Sequence, residues 1–332
     1  MAQQPINIVR LDSWVSPPPF FSQDFNRNLI SHHNTVHEDE SIIERLLDAD
    51  IVVTTRVPIS AKTVEVCAKR RLRLVVVFAI GVDMVDLEAC RKHGVEVRNV
   101  KGASVESVAE HALGFYFALR RNVVGMHNIL TTTNTWLEKG NCTSHFFDLS
   151  RTLKDETIGI VGVGELGTRV ASHFASLGSK VLFSERPSSA SIREGRTAFT
   201  EVLKSSTVLI VCTALNQSTL NLISSAELAL LPSDALLINI ARGGIVDESA
   251  LVDALKEMKI AGAASDVFLK EPTGTEENIL VREAENLGGR LVLSPHVAWW
   301  ARASTDKLRR VTGENIETWA KGEGKGGENW VC

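Results

Sequence analysis

The sequence predicts an α/β protein with two doubly wound parallel-sheet domains. Three observations lead to this fold class. Short apolar segments alternate with helical patterns along the chain, a glycine-rich turn lies near its middle, and similar units precede and follow that turn. The chain has 332 residues, 44% of them hydrophobic, which suits two domains better than one. Because the turn comes late, the residues ahead of it must form part of a second domain.

The glycine-rich turn, Gly162-Val163-Gly164-Glu165-Leu166-Gly167, lies between a predicted strand and a predicted helix. The strand covers Thr157 to Val161, and the helix covers Glu165 to Leu177. The first glycine permits a tight turn, the second lets the backbone approach a pyrophosphate, and the third lets the helix pack on the strand. Phosphates would bind at the N-terminus of the helix, where unpaired N–H groups and the helix dipole favour anions. This arrangement predicts a dinucleotide-binding site, and a glycine turn in an unrelated α/β unit is the alternative.

An acidic residue follows the next predicted strand. This strand, Lys180 to Phe183, leads to Glu185, whose carboxylate can accept hydrogen bonds from a ribose diol. The same charge would repel a 2′-phosphate, so it favours NAD over NADP. Arg186 and two nearby serines would partly offset that repulsion. We therefore predict NAD as the cofactor, with NADP as the alternative.

The remaining predicted elements supply the strands of two parallel sheets. Strand patterns alternate with helical patterns before and after the turn, and a long helix precedes it. The predicted strands are Ile51 to Thr55, Leu74 to Ile80, Val95 to Val100, Val208 to Cys212, Leu236 to Ile240, Ala261 to Val267 and Leu291 to Leu293. The predicted helices are Ala61 to Lys69, Asp86 to His93, Ser104 to Arg121 and Ala303 to Ala320.

The composition argues against several classes of function. The net charge is −4 and the basic residues are scattered, so nucleic-acid binding is not expected. The five cysteines are an odd number without CxxC spacing, so we expect neither a disulfide framework nor a metal site. No apolar run approaches the length of a membrane span, and the stretch Met1 to Pro5 lacks a leader pattern. We expect a cytoplasmic protein that makes no membrane contact.

Three chemically active residues, Arg242, Glu271 and His296, each follow one of the last three predicted strands. Ligands of doubly wound sheets bind at the carboxyl ends of the strands. An arginine can hold a carboxylate through two parallel hydrogen bonds, and a histidine can donate a proton near neutral pH. A nearby carboxylate would orient the imidazole and stabilise its protonated form. Together they suit reduction of a 2-oxo acid, although singly they could be a surface arginine, a solvated loop acid and a helix-capping residue.

Several ordered blocks of sequence point to one family. They are the glycine turn, Gly81 to Asp86, Ser107 to His111, Asn239 to Gly244, Asp266 to Pro272 and Pro295 to Ala298. With these blocks the chain resembles the D-isomer-specific 2-hydroxyacid dehydrogenase family over nearly its whole length. The resemblance implies a Rossmann cofactor domain, residues 103–298, inserted into a flavodoxin-like substrate domain formed by residues 1–102 and 299–332. It also implies an active site in the cleft between the domains and a homodimer formed largely through the cofactor domains.

The resemblance implies a role for each motif position. Arg242 corresponds to the substrate-binding arginine, Glu271 to the acid that orients the histidine, and His296 to the proton donor. Asp266 corresponds to the residue that holds the nicotinamide carboxamide. The segment of Ala79, Ile80 and Gly81 corresponds to the loop whose N–H groups meet the substrate carboxylate. The cofactor-binding positions implied are Val108, Gly162, Gly164, Glu165, Leu166, Gly167, Glu185, Arg186, Thr213, Ala214, Thr219, Ile240, Ala241, Asp266 and Ala298.

Two further side chains are candidates for substrate contact. Trp299 could form a wall of the substrate site or a packed contact between domains. Arg56 could reach a substrate carboxylate or could be a plain surface residue.

The glycine turn and the segment from Pro295 to Trp299 are most similar to the glycerate dehydrogenase, or hydroxypyruvate reductase, branch of the family. We therefore predict NAD(P)H-dependent reduction of a small 2-oxo acid, such as hydroxypyruvate or glyoxylate, to the D-2-hydroxy acid. A reductase of a bulkier 2-oxo acid and an NAD-sensing binding protein, similar to the C-terminal-binding-protein corepressors, are alternatives. A 3-phosphoglycerate dehydrogenase is a further alternative. Formate dehydrogenases resemble the family but carry an amide in place of the Glu271 carboxylate.

Overall fold

The structure, a computed structural model, describes residues 4–146 and 149–332, and the chain forms two compact units. Unit 1 comprises Met1–Ser104 and Trp300–Cys332, and unit 2 comprises Val105–Trp299. Met1 to Gln3, the start of the stretch that lacks a leader pattern, lie outside the described residues.

The elements of the described residues alternate between strands and helices for most of the chain. The strands are β1 (Ile6–Arg10), β2 (Arg27–Ser31), β3 (Ile51–Thr54), β4 (Leu74–Val77), β5 (Glu96–Arg98), β6 (Thr157–Val161), β7 (Lys180–Phe183), β8 (Val208–Val211), β9 (Leu236–Asn239), β10 (Gly262–Ser265) and β11 (Leu291–Leu293). The α-helices are α1 (Asp39–Leu46), α2 (Ala61–Ala68), α3 (Leu87–His93), α4 (Val105–Arg120), α5 (Val123–Thr132), α6 (Thr135–Lys139), α7 (Glu165–Ser176), α8 (Phe199–Ser205), α9 (Ser225–Leu228), α10 (Glu248–Lys256), α11 (Ile279–Leu287) and α12 (Arg302–Ala320).

Unit 1 is built on a parallel sheet with the strand order β2-β1-β3-β4-β5. This is the order of a flavodoxin-like doubly wound sheet. β3 and β4 are buried at every residue, as expected for strands that are covered on both faces. The predicted flavodoxin-like architecture of this part of the chain is therefore confirmed.

Unit 2 is built on a second parallel sheet with the order β11-β10-β9-β8-β6-β7. A parallel bridge between Ser184 and Thr197 extends this sheet beyond β7. The bridge stands where a Rossmann sheet has its third strand, which here is reduced to one residue pair. The sheet packs α4 and α7 on one face, with Tyr116, Phe174 and Ile160 in the core between them. The predicted Rossmann architecture is confirmed.

Differences between prediction and structure fall at the ends of strands and in elements for which no range was predicted. The strand predicted to run to Ile80 ends at Val77, and the strand predicted for Ala261 to Val267 covers Gly262–Ser265. In both places the chain leaves the sheet early to form a loop that carries candidate site residues. No range was predicted for β1, β2, α1, α5, α6 or α8 to α11. β2 in particular is mostly exposed and lacks a continuous apolar run.

The last four residues of the chain pair with β5 at the edge of the unit 1 sheet, where no such pairing was predicted. The N–H of Val331 donates to the carbonyl of Val97, and the N–H of Val97 donates to the carbonyl of Cys332, both at 2.9 Å. Beside them the buried guanidinium of Arg98 donates to the carbonyls of Asn315, at 2.9 Å, and Glu323, at 2.7 Å. The C-terminal segment thus satisfies hydrogen-bonding groups of β5 that would otherwise be at an open edge.

Neither a membrane-spanning helix nor a metal-binding cluster occurs among the described residues. Across residues 4–146 and 149–332, no helix has the length and apolar character needed to span a bilayer. The same residues contain no group of three or more His, Cys, Asp or Glu side chains arranged to bind a metal ion. All five cysteines are free thiols.

A buried ion pair joins α4 to the start of β6 in unit 2. The Arg120 Nε donates to Glu156 Oε1 at 2.7 Å, and the two side chains are 7% and 0% exposed. Tyr116 and Thr207 donate their hydroxyl groups to the same carboxylate. Arg120 also donates to the main-chain carbonyls of Asp234 and Thr207. The pair therefore connects several segments of unit 2 through one desolvated charge.

Replacing Arg120 with Met should destabilise the protein strongly, because Glu156 would be left as an unpaired buried charge. Breaking a buried pair from one side costs about 3–5 kcal/mol. The free energy of unfolding from urea denaturation tests this. The control is Arg169→Met in the same unit, since Arg169 pairs with Glu106 on the surface and such exposed pairs contribute little. Equal losses for the two variants would show that burial of the Arg120 pair is not what matters.

Candidate active site

The candidate site lies at the carboxyl edge of the unit 2 sheet. β9, β10 and β11 are neighbours and all run in the same direction, so the residues that follow them lie on one edge. Arg242 follows β9, Glu271 follows β10 and His296 follows β11. The shared edge explains why residues far apart in sequence belong to one site.

The turn that carries Arg242 depends on two glycines. A Cβ on Gly243 would lie 1.8 Å from the carbonyl oxygen of Phe268, so that only glycine permits this approach. Gly244 has φ +79°, which other residues rarely adopt. The side chain of Asn239 closes the turn by donating to the carbonyl of Arg242 at 3.0 Å. The Arg242 turn is thereby packed against the loop that leads to Glu271.

Glu271 and His296 form a direct pair. The distance between Glu271 Oε2 and His296 Nδ1 is 2.6 Å, and Glu271 Oε1 accepts the N–H of Phe268 at 2.9 Å. Both oxygens of the carboxylate are therefore fixed, and one of them fixes the imidazole ring. The contact uses Nδ1, so the second ring nitrogen, Nε2, takes no part in the pair.

Asp266 organises the backbone that carries His296. Its side chain is 3% exposed. Its carboxylate accepts the N–H groups of Val297, at 2.9 Å, and Ala298, at 3.0 Å, and the hydroxyl of Ser294. Its main-chain carbonyl accepts the N–H of His296 at 2.7 Å. These bonds hold His296 at φ +53°, a left-handed conformation that costs a side-chain-bearing residue about 1–2 kcal/mol.

Two side chains, those of His111 and Trp299, extend this network in a role that was not predicted for either. His111, on α4, lies with its Nε2 2.9 Å from the Ser294 hydroxyl and packs its ring edge-on against Phe115. The indole N–H of Trp299 donates to the carbonyl of His296 at 3.0 Å. His111 belongs to one of the sequence blocks that carry the family resemblance, and that block was the available signal. Both contacts hold in place the loop that carries His296.

The glycine turn after β6 forms a cradle that fits a pyrophosphate. Gly162 has φ +98°, and a Cβ there would lie 2.5 Å from the backbone nitrogen of Thr213. A Cβ on Gly167 would lie 2.0 Å from the carbonyl oxygen of Gly162. A Cβ on Gly164 would meet nothing within 4 Å, and Gly164 caps α7 without any side-chain acceptor. Open space therefore adjoins the N–H groups of the first turn of α7, as a bound phosphate requires.

Glu165 and Leu166, two of the predicted cofactor positions, form the start of α7. Glu165 is exposed and Leu166 is half-buried against the core of unit 2. Val108, on α4, is half-buried against the same core. The Glu165 carboxylate thus lies in the first turn of the helix, where its charge is favourable to the helix dipole.

Glu185 follows β7 as predicted, and its carboxylate is already engaged. Arg193 donates to it through Nε at 2.8 Å and through Nη2 at 2.5 Å. The N–H groups of Arg186 and Arg193 donate at 2.8 and 3.2 Å. The Arg193 guanidinium and these N–H groups hold the pKa of Glu185 far below its usual range. A ribose diol can bind this carboxylate only if it replaces one of these donors.

The segment after β8 contains three predicted positions. The hydroxyl of Thr219 donates to the carbonyl of Ala214 at 2.8 Å, which closes a turn at the carboxyl edge. Thr213 precedes this turn and is half-buried. Burial raises the pKa of the neighbouring Cys212 to about 12, so that it is a thiol at neutral pH and not a nucleophile. The other predicted cofactor positions at this edge, which are buried, are Ile240, Ala241 and Ala298.

Unit 1 contains the predicted substrate residues other than Trp299. β3 and β4 are neighbours, so Arg56 and the segment 79–81 lie at one edge of the sheet. The buried carboxylate of Asp12 accepts the N–H groups of Thr55, at 2.9 Å, and Arg56, at 2.6 Å, and it fixes this loop. Desolvation raises the pKa of Asp12, while these N–H groups oppose the rise. Asp12 had no signal in the sequence, because its role depends on contacts to a distant loop.

The segment Ala79 to Gly81 is oriented by its carbonyl groups. The carbonyl of Ala79 accepts the N–H of Val100 at 3.0 Å, and the carbonyl of Ile80 accepts the side-chain amide of Asn99 at 2.6 Å. A trans peptide points its N–H away from its carbonyl. The N–H groups of Ile80 and Gly81 therefore point to the side opposite these two bonds.

The fold, the glycine cradle, and the Glu271–His296 pair beside the Arg242 turn define an NAD-dependent oxidoreductase. Residues 113–298 match the model of the NAD-binding domain of D-isomer-specific 2-hydroxyacid dehydrogenases. The chain belongs to the D-isomer-specific 2-hydroxyacid dehydrogenase family. It therefore acts on 2-oxo or 2-hydroxy acids with NAD, and the family predicted from the sequence is confirmed.

Individual relatives agree with this membership. A Haemophilus influenzae protein assigned as a 2-hydroxyacid dehydrogenase is 36% identical over 316 residues, covering 94% of this chain and 97% of its own. Glycerate dehydrogenase of Methylorubrum extorquens is 34% identical over 286 residues, covering 86% and 87%. The structure of a D-lactate dehydrogenase from Aquifex aeolicus with NAD and lactic acid shares the fold, with a TM-score of 0.77 at 24% identity and 98% coverage of both chains.

Two glycine substitutions should separate folding from cofactor binding. Gly167→Ala should lower the free energy of unfolding by about 1–3 kcal/mol without any ligand, because its Cβ would collide with the carbonyl of Gly162. Gly164→Ala should leave that stability nearly unchanged, because its Cβ would enter open space. It should weaken NADH binding about tenfold or more, because the methyl group occupies the volume of the pyrophosphate. Urea denaturation and NADH titration measure the two effects, and unchanged NADH affinity in Gly164→Ala would contradict the cradle.

Proposed function

We propose that the protein reduces a small 2-oxo acid, such as hydroxypyruvate or glyoxylate, to the D-2-hydroxy acid with NADH, and that His296 supplies the proton. The single observation that carries this proposal is the 2.6 Å contact between Glu271 and His296, next to the turn that presents Arg242. The Methylorubrum extorquens relative, named glycerate dehydrogenase, supports a substrate of this size.

The chain's own groups divide the chemistry among them. Arg242 holds the substrate carboxylate through its guanidinium fork. His296 donates its Nε2 proton to the carbonyl oxygen as that oxygen gains negative charge, and Glu271 stabilises the imidazolium before the transfer. Bound NADH supplies the hydride. Asp266 accepts three hydrogen bonds from the loop after β11 and retains acceptor capacity for the carboxamide N–H₂ of the nicotinamide.

We assign the two predicted domains different tasks. Residues 103–298 hold the cofactor, and residues 1–102 with 299–332 bind part of the substrate. The orientation of the Ile80 and Gly81 N–H groups supports their contact with the substrate carboxylate. Arg56, which is exposed and whose loop Asp12 fixes, is the second candidate for that contact.

Replacing His296 with Gln should lower kcat by about 100- to 10,000-fold and leave the Kd of NADH nearly unchanged, because the proton donor is lost while the cofactor cradle remains. NADH oxidation with glyoxylate, pyruvate, hydroxypyruvate and 4-methyl-2-oxopentanoate measures the rate, and titration measures the Kd. The control is His93→Gln, since His93 lies in the last turn of α3.

The same assay distinguishes the alternatives. Parallel loss of NADH binding in His296→Gln would contradict the role as proton donor. Faster turnover of the largest acid would favour a reductase of bulkier substrates. No turnover of any acid by the unaltered protein, together with tight NADH binding, would favour an NAD-sensing protein.

We further propose that the protein is a homodimer that associates through α5 and α6. These short helices of unit 2 expose large apolar side chains to solvent, and Leu137 is 86% exposed. Monomeric proteins rarely expose apolar side chains in such a group. Leu130, Trp136 and Leu137 line a groove on this surface, which suits an apolar protrusion of a second copy.

The variant Leu130→Glu/Leu137→Glu should convert dimers to monomers, because two charges would be buried in the interface. Sedimentation velocity at micromolar concentration measures the change. The control is Leu177→Glu, an exposed leucine at the end of α7. A monomer without any substitution, or dissociation by the control alone, would argue against this surface.

A further inference from the structure

In the loop between β7 and α8 the exposed charged group is the Arg193 guanidinium, whereas the sequence predicts the Glu185 carboxylate there. Glu185 has a carboxylate that is 2% exposed, whereas the side chain of Arg193, which covers it, is 56% exposed. A carboxylate has about four acceptor positions, and four N–H groups from Arg186 and Arg193 occupy them. What solvent meets at this point of the sheet edge is therefore the guanidinium of Arg193.

The Glu185–Arg193 pair lies at the edge of the sheet where a dinucleotide would bind. β6 and β7 are parallel neighbours, so the residue after β7 lies at the same edge as the glycine cradle that follows β6. In a dinucleotide-binding sheet this point meets the ribose of the adenosine half. Whichever group is presented there decides whether a 2′-hydroxyl or a 2′-phosphate is accepted.

Because Arg193 pairs with Glu185 and offsets its charge, the other charged groups of the loop favour a phosphate. Arg186 is exposed beside the pair, and Arg196 lies with its guanidinium 5.9 Å from the ring centre of Phe183. Glu194 is the acid that partly offsets these cations. A phosphate can bind the outer N–H groups of Arg193 without breaking the pair. A ribose diol, by contrast, must displace a bidentate charged contact to reach Glu185.

We propose that Arg193 is a specificity-determining residue of the cofactor site: it masks Glu185 and binds a 2′-phosphate, so that the protein accepts NADPH as well as NADH. The inference rests on the proposed function only in requiring that unit 2 binds a dinucleotide. A purely structural role for the pair, as a clamp on its loop, would affect both cofactors equally. The two readings therefore differ in the ratio of affinities and not in either affinity alone.

The test is direct binding, without turnover. Isothermal titration with NADH, NADPH, 5′-AMP and adenosine 2′,5′-bisphosphate is compared among the unaltered protein, Arg193→Ala and Arg193→Lys. Arg193→Ala should weaken NADPH and the bisphosphate by about 10- to 100-fold, because a charge-assisted contact to phosphate is lost. NADH and 5′-AMP should bind as well as before, or NADH more tightly, because Glu185 is exposed to the ribose. Arg193→Lys should recover part of the phosphate affinity, since the charge returns without the fork.

Controls separate this inference from the proposed function. Arg282→Ala removes an exposed arginine on α11 and should leave the NADPH to NADH affinity ratio unchanged. Arg193→Ala should lower the unfolding midpoint only modestly, because loss of the covering side chain exposes Glu185 to water and leaves it the two backbone N–H donors. Equal weakening of both dinucleotides in Arg193→Ala, or an unchanged ratio, would overturn the role of Arg193 while leaving the reductase proposal intact. Failure of the unaltered protein to bind either dinucleotide would overturn the proposed function itself.

Discussion

The parallel pairing of the strands in unit 2 is the constraint on which the site depends. Because every strand of a parallel sheet ends on the same edge, the turns that follow β6, β7, β8, β9, β10 and β11 all meet there. The hydrogen bonds of the ladder are buried and leave little freedom in register. The glycine cradle, the Arg242 turn and the Glu271–His296 pair are therefore positioned by the sheet before any ligand contributes. Groups on turns that are anchored to a sheet are held more precisely than groups on long free loops.

Within that frame, one carboxylate does most of the local organisation. Asp266 holds the N–H groups and the hydroxyl that surround His296, and it keeps the histidine in a backbone conformation that it would not adopt by itself. The free energy stored in that conformation is offset by the charge-assisted hydrogen bonds to the buried Asp266 carboxylate. The backbone conformation of His296 and the contact with Glu271 together fix the orientation of the imidazole. His111 adds a further contact through Ser294, so that the His296 loop is held by residues from α4 and from the segments that follow β10 and β11.

The parts of the molecule that the sequence could predict are those set by short-range patterns. The segment from Thr157 to Gly167 is one, because strand, turn and helix each depend on residues a few positions apart. Prediction of the candidate catalytic groups also required the rule that the ends of parallel strands share an edge. Contacts between distant segments left no local pattern: the link between His111 and Ser294 spans 183 positions. The hold of Arg193 on Glu185 spans only eight, but it depends on the path of a loop that no periodicity specifies.

Unit 1 is assembled from both ends of the chain, and this has a consequence for how the protein is made. β5 emerges from the ribosome long before the residues that satisfy it, because Val97 and Arg98 find their partners in the segment from Asn315 to Cys332. Until then the Arg98 guanidinium, which is buried in the folded protein, and the free edge of β5 are exposed in the nascent chain. Unpaired strand edges of this kind promote aggregation. Unit 2 is continuous and can fold in the meantime, which shortens the loop that must be closed. The two halves of unit 1 can therefore pair only after the whole of unit 2 has been synthesised.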